Sequence, residues 1–223
     1  MRFHTCLLAL VLICWGSSGA SATTIVSATS ATASSSFSST FGIGNTIDQS
    51  GLSVGYTSGV TDFDTYIGSN ISHDFSPSGI DEWFSATDIT SVTIIYDLGL
   101  VLNIDRIALW NEDLSGFGTG SIATSTDNVI FTALTTINPV ISGFGVDYFA
   151  QIFGFASTTA QFIRIDISGC PQVDNGFNGC GIGEVAFSSV SAVPLPAALP
   201  LFGTGLAVMG LIGWRRKRKA AAA

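Results

Sequence analysis

The chain has 223 residues, and its eight Lys and Arg are outnumbered by sixteen Asp and Glu. Six of the eight cations are Arg2 and Arg215 to Lys219, at the two ends, so the stretch between them sets Arg106 and Arg164 against all sixteen acids, a formal charge of −14. That argues against reading a phosphate backbone, which needs clustered Lys and Arg, and no nucleic-acid partner is expected; the length leaves room for one ordinary domain plus targeting segments.

Arg2 and His4 give a weakly basic start, Cys6 to Trp15 is an apolar stretch of signal-peptide length, and Ala20-Ser21-Ala22 is a small-residue cleavage pattern. Residues 1–22 are therefore expected to be a signal peptide, with the mature chain beginning near Thr23. Cys6 and Cys14 leave with it. Cys170 and Cys180 remain as the one pair in an oxidising compartment, and they are expected to form a disulfide. Closing so short a loop is worth about 2.7 kcal/mol on the loop-entropy account.

Residues 23–42 are nearly all Ser, Thr, Ala and small apolar side chains and read as a flexible lead-in or a first edge strand. Residues 43–91 are rich in Gly, Ser and Asp, carry scattered aromatics, and have no helical period; they read as loops with short strands. From Ser91 onward the pattern turns to β-sheet. Ser91 to Asp97 and Leu102 to Trp110 are rich in β-branched and aromatic residues and flank the turn-forming Leu98-Gly99. Ser121 to Ser125, Phe131 to Ile137, Ala150 to Phe155, Gln161 to Ile167 and Glu184 to Val190 repeat the theme, with turn signals at Asp127-Asn128 and Ser142-Gly143. The fold class expected is an all-β sandwich or jelly roll, with no helix before the tail.

The tail has three parts. Val193-Pro194-Leu195-Pro196-Ala197 leads into an uncharged apolar run up to Trp214, and Arg215 to Lys219 close it. As a helix, residues 197–214 come close to the thickness of a hydrocarbon core at about 1.5 Å per residue. The cations that follow stay on the cytoplasmic side, which places everything before Val193 across the membrane.

Several landmarks carry a family likeness. Tyr96-Asp97-Leu98-Gly99, Ile104-Asp105-Arg106-Ile107, Ser125-Thr126-Asp127-Asn128, Ala160-Gln161-Phe162-Ile163-Arg164-Ile165 and Ile182-Gly183-Glu184-Val185 follow one another in an order that resembles the discoidin-like, F5/8 type C domains of the galactose-binding-like superfamily. The resemblance implies a discoidin-like jelly-roll sandwich over residues 43–190. Two departures stand out: the early Asp-Gly pair of that family reads Asp48-Gln49 here, and Trp83 lies far downstream. The tail resembles the PEP-CTERM sorting signal in its VPLPA form over residues 193–219, which implies a Gram-negative bacterium that makes exopolysaccharide. It implies an exosortase as partner, transient anchoring by the transmembrane helix, and delivery to the cell surface or matrix.

Candidate sites follow from both readings. Relatives of the discoidin-like type often hold a structural calcium ion between an early loop and the acid of the last strand, positions matched by Asp48 and Glu184, and hard oxygen ligands suit that ion. A sugar-binding face would use aromatic rings from loops at one end of the sandwich, with Tyr56, Tyr66, Trp83 and Phe117 as candidates, each of which would serve equally as a core ring. Catalytic candidates are poor: His73 is the one His left after export, and the most suggestive acidic pair is Asp81-Glu82 beside Trp83. The expected function is non-catalytic binding of carbohydrate; the alternatives are an envelope glycoside hydrolase using an acidic pair, or a spacer without ligand.

Overall fold

The computed structural model describes residues 21–75, 80–141, 143, 145–174, 176–192 and 209–210. The chain falls into two compact units, 22–191 and the two chain ends, 1–21 with 192–223. Met209 and Gly210 are helical; those two positions and the start of the first strand at Ser21 apart, the expected signal peptide (1–22), sorting signal (193–219) and membrane span (197–214) lie outside the described residues. Among the described residues no helix is long and apolar enough to cross a membrane.

The unit 22–191 is built from strands β1 (Ser21–Val26), β2 (Ser30–Ala33), β3 (Ser72–His73), β4 (Trp83–Phe84), β5 (Ser91–Asn111), β6 (Thr119–Ser125), β7 (Thr132–Ile137), β8 (Tyr148–Phe149), β9 (Gln151–Ser168) and β10 (Gly181–Ala192). Eight of them follow the order β1-β10-β5-β9-β6-β7, with β2 added to β5 and β4 to β10; β3 and β8 form a separate pair. The two long strands carry the path through both layers of a sandwich. The first half of β5 pairs with β2 and the last half of β9, and its second half pairs with β10 and the first half of β9.

Between the layers lies the main core. Val92, Ile94, Tyr96 and Leu98 alternate inward along β5, as a half-buried strand should, and meet Ile163, Ile165, Ile167, Val185 and Phe187. The Tyr96 and Phe187 rings, one from each layer, sit 5.7 Å apart. A second cluster covers the other side of β5 and β10. Ala108, Trp110 and Ala186 there pack against Ile25, Tyr56, Phe63, Tyr66, Ile71 and Tyr148. Covering both faces explains why the runs at 107–111 and 184–187 are almost continuously apolar and lose the alternation of an ordinary sandwich strand.

Three expectations are corrected. Ser91 to Asp97 and Leu102 to Trp110 are one strand, as are the segments expected at 150–155 and 161–167. The Leu98-Gly99 signal marks a bend within β5: Gly99 has φ of 80°, and β5 moves from Asp97 to Leu102 while its partner moves only from Phe162 to Ala160. Nor is the region 43–91 free of helix. It holds a 3-10 turn at Ile43–Thr46 and a six-residue helix, α1 (Phe63–Gly68), whose Asp62 N-cap accepts from Thr65 N at 2.8 Å and whose Phe63 and Tyr66 are buried. Both are too short to show a period.

The Asp127-Asn128 signal does close the β6–β7 hairpin: Asn128 is left-handed at φ of 58°, and Asp127 accepts from Val129 N at 2.9 Å and Ile130 N at 3.0 Å. Arg106 pairs with Asp64 and lies 4.6 Å over the Phe63 ring, while Arg164 pairs with Asp166 at 3.1 Å. Both cations of the unit are thus engaged by neighbouring acids.

Candidate functional site

At one end of the sandwich the C-terminal ends of β5 and β9 meet the starts of β6 and β10. Ser168 pairs with both Ser91 and Thr119, and Gly181 pairs with Phe84 and bridges to Gly116. Loops from five places in the sequence converge there. The longest, 170–180, is closed by the Cys170–Cys180 disulfide, with Cα atoms 5.0 Å apart. Ser85 fixes its far end, donating from N to Cys180 O and accepting Cys180 N at its Oγ, both at 2.9 Å. Asp88 N donates to Asn178 O at 2.6 Å, and Asn178 Nδ2 returns a bond to Asp88 Oδ1 at 2.9 Å.

On this end sits a connected set of phenylalanines. Phe37 and Phe41 are edge to face at 5.6 Å, Phe41 and Phe84 at 5.8 Å, Phe84 and Phe177 at 5.6 Å, and Phe37 and Phe177 at 5.9 Å. Phe37 is 51% exposed and the other three are partly exposed. Next to Phe177 a depression of about 370 Å³ is lined by Pro171, Asp174, Gly176 and Asn178. Aromatic edges beside carboxylate and amide groups suit a neutral, hydroxyl-rich ligand, the rings offering apolar area and the polar groups orientation. Neither Phe37 nor Phe41 was singled out from sequence. The available signal was their isolation in the run Ser34-Ser35-Ser36-Phe37-Ser38-Ser39-Thr40-Phe41, where no apolar neighbour would bury a ring.

The four aromatics expected on this face are elsewhere. Trp83 and Phe117 are wholly buried in the main core, and Tyr56 and Tyr66 are 9% and 6% exposed and pack together at 5.1 Å. Their polar handles are spent internally. Trp83 Nε1 donates to Ser36 Oγ at 3.0 Å, Tyr56 Oη bonds Ser27 Oγ at 2.6 Å, and Tyr66 Oη donates to Val54 O. Burial, with the Glu184 charge nearby, pushes the Tyr66 hydroxyl up to about 12 and that of Tyr56 higher still. A ring that is closed in on all sides cannot stack on a ligand, so these four are packing residues.

Behind the aromatic face lies a buried polar cluster. Tyr148 Oη donates to Glu82 Oε1 at 2.5 Å, and the Tyr148 ring stacks on His73 with centroids 5.0 Å apart. His73 Nδ1 is 4.0 Å from Glu82 Oε1 and 3.0 Å from Asp74 O. Glu112 accepts Leu114 N at 3.1 Å and Ser115 N, and Asp113 accepts Gly145 N at 2.6 Å. Desolvation raises Glu82 to about 7 and Glu112 to about 9, and lowers His73. Glu82 is 2% exposed and His73 fully buried. Neither Glu82 nor His73 therefore presents a reacting group to solvent, and the partly exposed Asp81 is left without its expected partner.

Glu184 is also fully buried and Asp48 is exposed. Gln49 N donates to Glu184 Oε2 at 3.1 Å, while Oε1 has no hydrogen-bond partner; burial, and secondarily the nearby Asp48 charge, raise this carboxyl well above its usual range. Asp48 Oδ1 accepts from Ser50 N at 2.9 Å. An orphaned buried carboxylate oxygen beside a loop acid fits a hard cation, with further ligands drawn from backbone and amide oxygens. Among the described residues no three His, Cys, Asp or Glu side chains cluster to hold a metal.

No family model matches the sequence, and no curated protein matches it. Solved structures do. The family 32 carbohydrate-binding module of Clostridium perfringens NanJ, solved with galactose, is 12% identical, with 74% of this chain covering 98% of that one at a TM-score of 0.50. A third family 32 module from a Clostridium perfringens family 31 glycoside hydrolase is 17% identical, covering 74% and 91% of the two chains at 0.49. The family 32 module of AlyQ, solved with 4,5-unsaturated mannuronic acid, is 20% identical, covering 73% and 96% at 0.47. At these identities the likeness concerns architecture, and the first carries it: the chain has the all-β, discoidin-like sandwich fold.

Proposed function

We propose that the protein binds carbohydrate without transforming it, and that the ligand sits on the face made by Phe37, Phe41, Phe84 and Phe177 with the adjoining depression. The observation that carries this is the exposed, interlocked ring set held by a disulfide-closed loop at the loop-bearing end of the sandwich. The NanJ module, which shares the architecture, was solved with galactose. Against the hydrolase reading stands the burial of Glu82, whose carboxyl is occupied by Tyr148. The test is a glycan array followed by titration of the best ligand. Phe177→Ala is expected to weaken binding at least about tenfold, in line with the loss of one stacking ring. Binding unchanged in that variant would remove the face, and release of reducing sugar would replace the reading with the hydrolase.

The proposal extends to delivery and stabilisation. The signal peptide and the VPLPA tail support export, sorting by an exosortase, transient anchoring, and a final place on the surface or in the exopolysaccharide matrix of a Gram-negative cell. Mass spectrometry of the native C-terminus tests this: a tail intact to Ala223 with and without the exosortase would reduce it to a plain anchor. Asp48 and Glu184 would hold a calcium ion that ties the 48–53 loop to β10. The ion's contribution would be structural, since it would join a loop to a core strand.

A further inference from the structure

We propose that the end of the sandwich opposite the aromatic face is a lipid-contacting end, which lays Leu100, Val101, Val129 and Ile130 on the headgroup region of a bilayer while the tail is in place. The inference rests on the reading of residues 197–214 as a membrane span. It goes beyond that reading by giving the unit 22–191 a membrane-facing surface of its own.

The strand register locates this end. β5 begins at Ser91, which pairs with Ser168, and finishes at Asn111, which pairs with Ile182, both beside the aromatic set; its bend at 98–101 therefore marks the far end. A second loop lies level with the bend. Phe162 of β9 pairs with Asp97 on one side and with Ser125 on the other, so the bend and the 126–131 turn flank β9 two strand spacings apart, about 10 Å.

The two loops are built alike. Asp97 Oδ1 accepts Gly99 N at 2.7 Å and Gln161 Nε2 at 3.1 Å, and Asp127 Oδ1 accepts Val129 N at 2.9 Å and Ile130 N at 3.0 Å. In each, an aspartate spends its charge on the loop's own N–H groups and an apolar pair is left outside. Leu100 and Val101 are 57% and 50% exposed, Val129 and Ile130 78% and 72%. Aliphatic side chains scattered singly over a surface are ordinary; two pairs on matched loops at one end form a patch. The Arg164 guanidinium, 4.9 Å over the Phe131 ring, steadies the base of the second loop.

What covers the patch follows from where the chain leaves. β10 starts at the aromatic end, where Gly181 pairs with Phe84; Ser189 reaches Ile104, and three more residues carry the strand toward the bend, ending at Ala192. Only Val193 to Pro196 then precede Ala197, the first residue of the expected span. Five steps of extended chain reach at most about 18 Å, of which the headgroups occupy about 5 to 8 Å. Given the span, the end that carries the apolar loops is the one held against the bilayer, and the Phe37, Phe41, Phe84 and Phe177 face is turned toward the matrix. A formal charge of −14 on the stretch between the chain ends opposes an anionic leaflet, so the surface that suits this end is zwitterionic.

The test uses the chain with its tail, reconstituted into phosphatidylcholine vesicles that contain lipid spin-labelled near the headgroup. An environment-sensitive fluorophore is attached at Val129→Cys, at Leu100→Cys or, on the aromatic end, at Ser38→Cys. Quenching by the labelled lipid is expected to be at least about threefold stronger at positions 129 and 100 than at 38, as for side chains seated in an interface. Adding Ile130→Ser to the Val129→Cys protein should reduce its quenching about twofold, because apolar area drives the contact. Flotation of the vesicles after an alkaline wash reports on the span separately. A chain lost in the wash would remove the span and this inference with it. A chain that floats with equal quenching at all three positions would overturn the lipid contact alone. Energy transfer between fluorophores at position 129 on different chains, without quenching by lipid, would overturn it in favour of a second copy of the chain.

Discussion

Gln49 has φ of 66°, in the left-handed region where the discoidin-like pattern places glycine after its aspartate. A side chain there costs about 1 kcal/mol relative to glycine. The cost is offset locally, because Gln49 Oε1 accepts Tyr56 N at 2.7 Å, a bond worth about 1 kcal/mol. Gln49→Gly is therefore expected to leave stability within about 1 kcal/mol of the wild type, exchanging relief of strain for a lost acceptor, whereas Gln49→Val loses the acceptor, adds a β-branched side chain and should cost about 2 to 3 kcal/mol. Urea unfolding midpoints with a common slope would check the pair, and a strongly destabilised glycine variant would refute the account. The departure at Asp48-Gln49 was visible in the sequence; its compensation by Tyr56 N was not, since it joins backbone seven residues away. The aromatics fail for a related reason. Trp83 and Phe117 look no different in sequence from Phe84 and Phe177, and only the register of β4 on β10 decides which of Trp83 and Phe84 turns inward.

At the scale of elements, strand positions were legible from β-branched runs and alternation, but strand continuity was not. A turn signal such as Leu98-Gly99 has the same composition whether the chain reverses or merely bends, and the difference lies in whether β9 runs alongside on both sides of it. Burial on two faces likewise hid the orientation of β10, though not the strand itself, because the cover over Trp110 and Ala186 comes from Ile25, Tyr148 and several residues of 52–71, a segment without period of its own. The disulfide was legible by elimination once Cys6 and Cys14 were assigned to the expected signal peptide. Its role in holding an aromatic loop was not. Replacing Cys170 and Cys180 together by serine is expected to cost about 2.7 kcal/mol on the loop-entropy account. It should also weaken ligand binding on the face, because Phe177 is carried by that loop. Thermal unfolding and glycan titration of the double variant would measure the two effects separately. A stability loss with affinity intact would mean that Ser85, Asp88 and their bonds to 178–180 position the loop unaided.

For the molecule as a whole, a charge of −14 on the stretch between the chain ends means self-repulsion that screening relieves, so added sodium chloride should raise the unfolding temperature without any site being filled. Calcium has to be judged against that background. If Asp48 and Glu184 bind the ion, calcium should raise the midpoint beyond sodium chloride of equal ionic strength, and the excess should grow with the logarithm of its concentration, reaching about 2.7 kcal/mol at a hundred times the dissociation constant. Glu184→Gln should abolish the excess while leaving the response to sodium chloride intact, because it alters one buried ligand and leaves the surface field almost unchanged. Asp48→Asn should reduce it less, since an amide oxygen still serves as a weak ligand for a hard cation. Equal midpoints in calcium and in EGTA at matched ionic strength would leave Glu184 as a buried acid whose free oxygen is satisfied by its own proton. The acid excess would then be a solvated surface and nothing more.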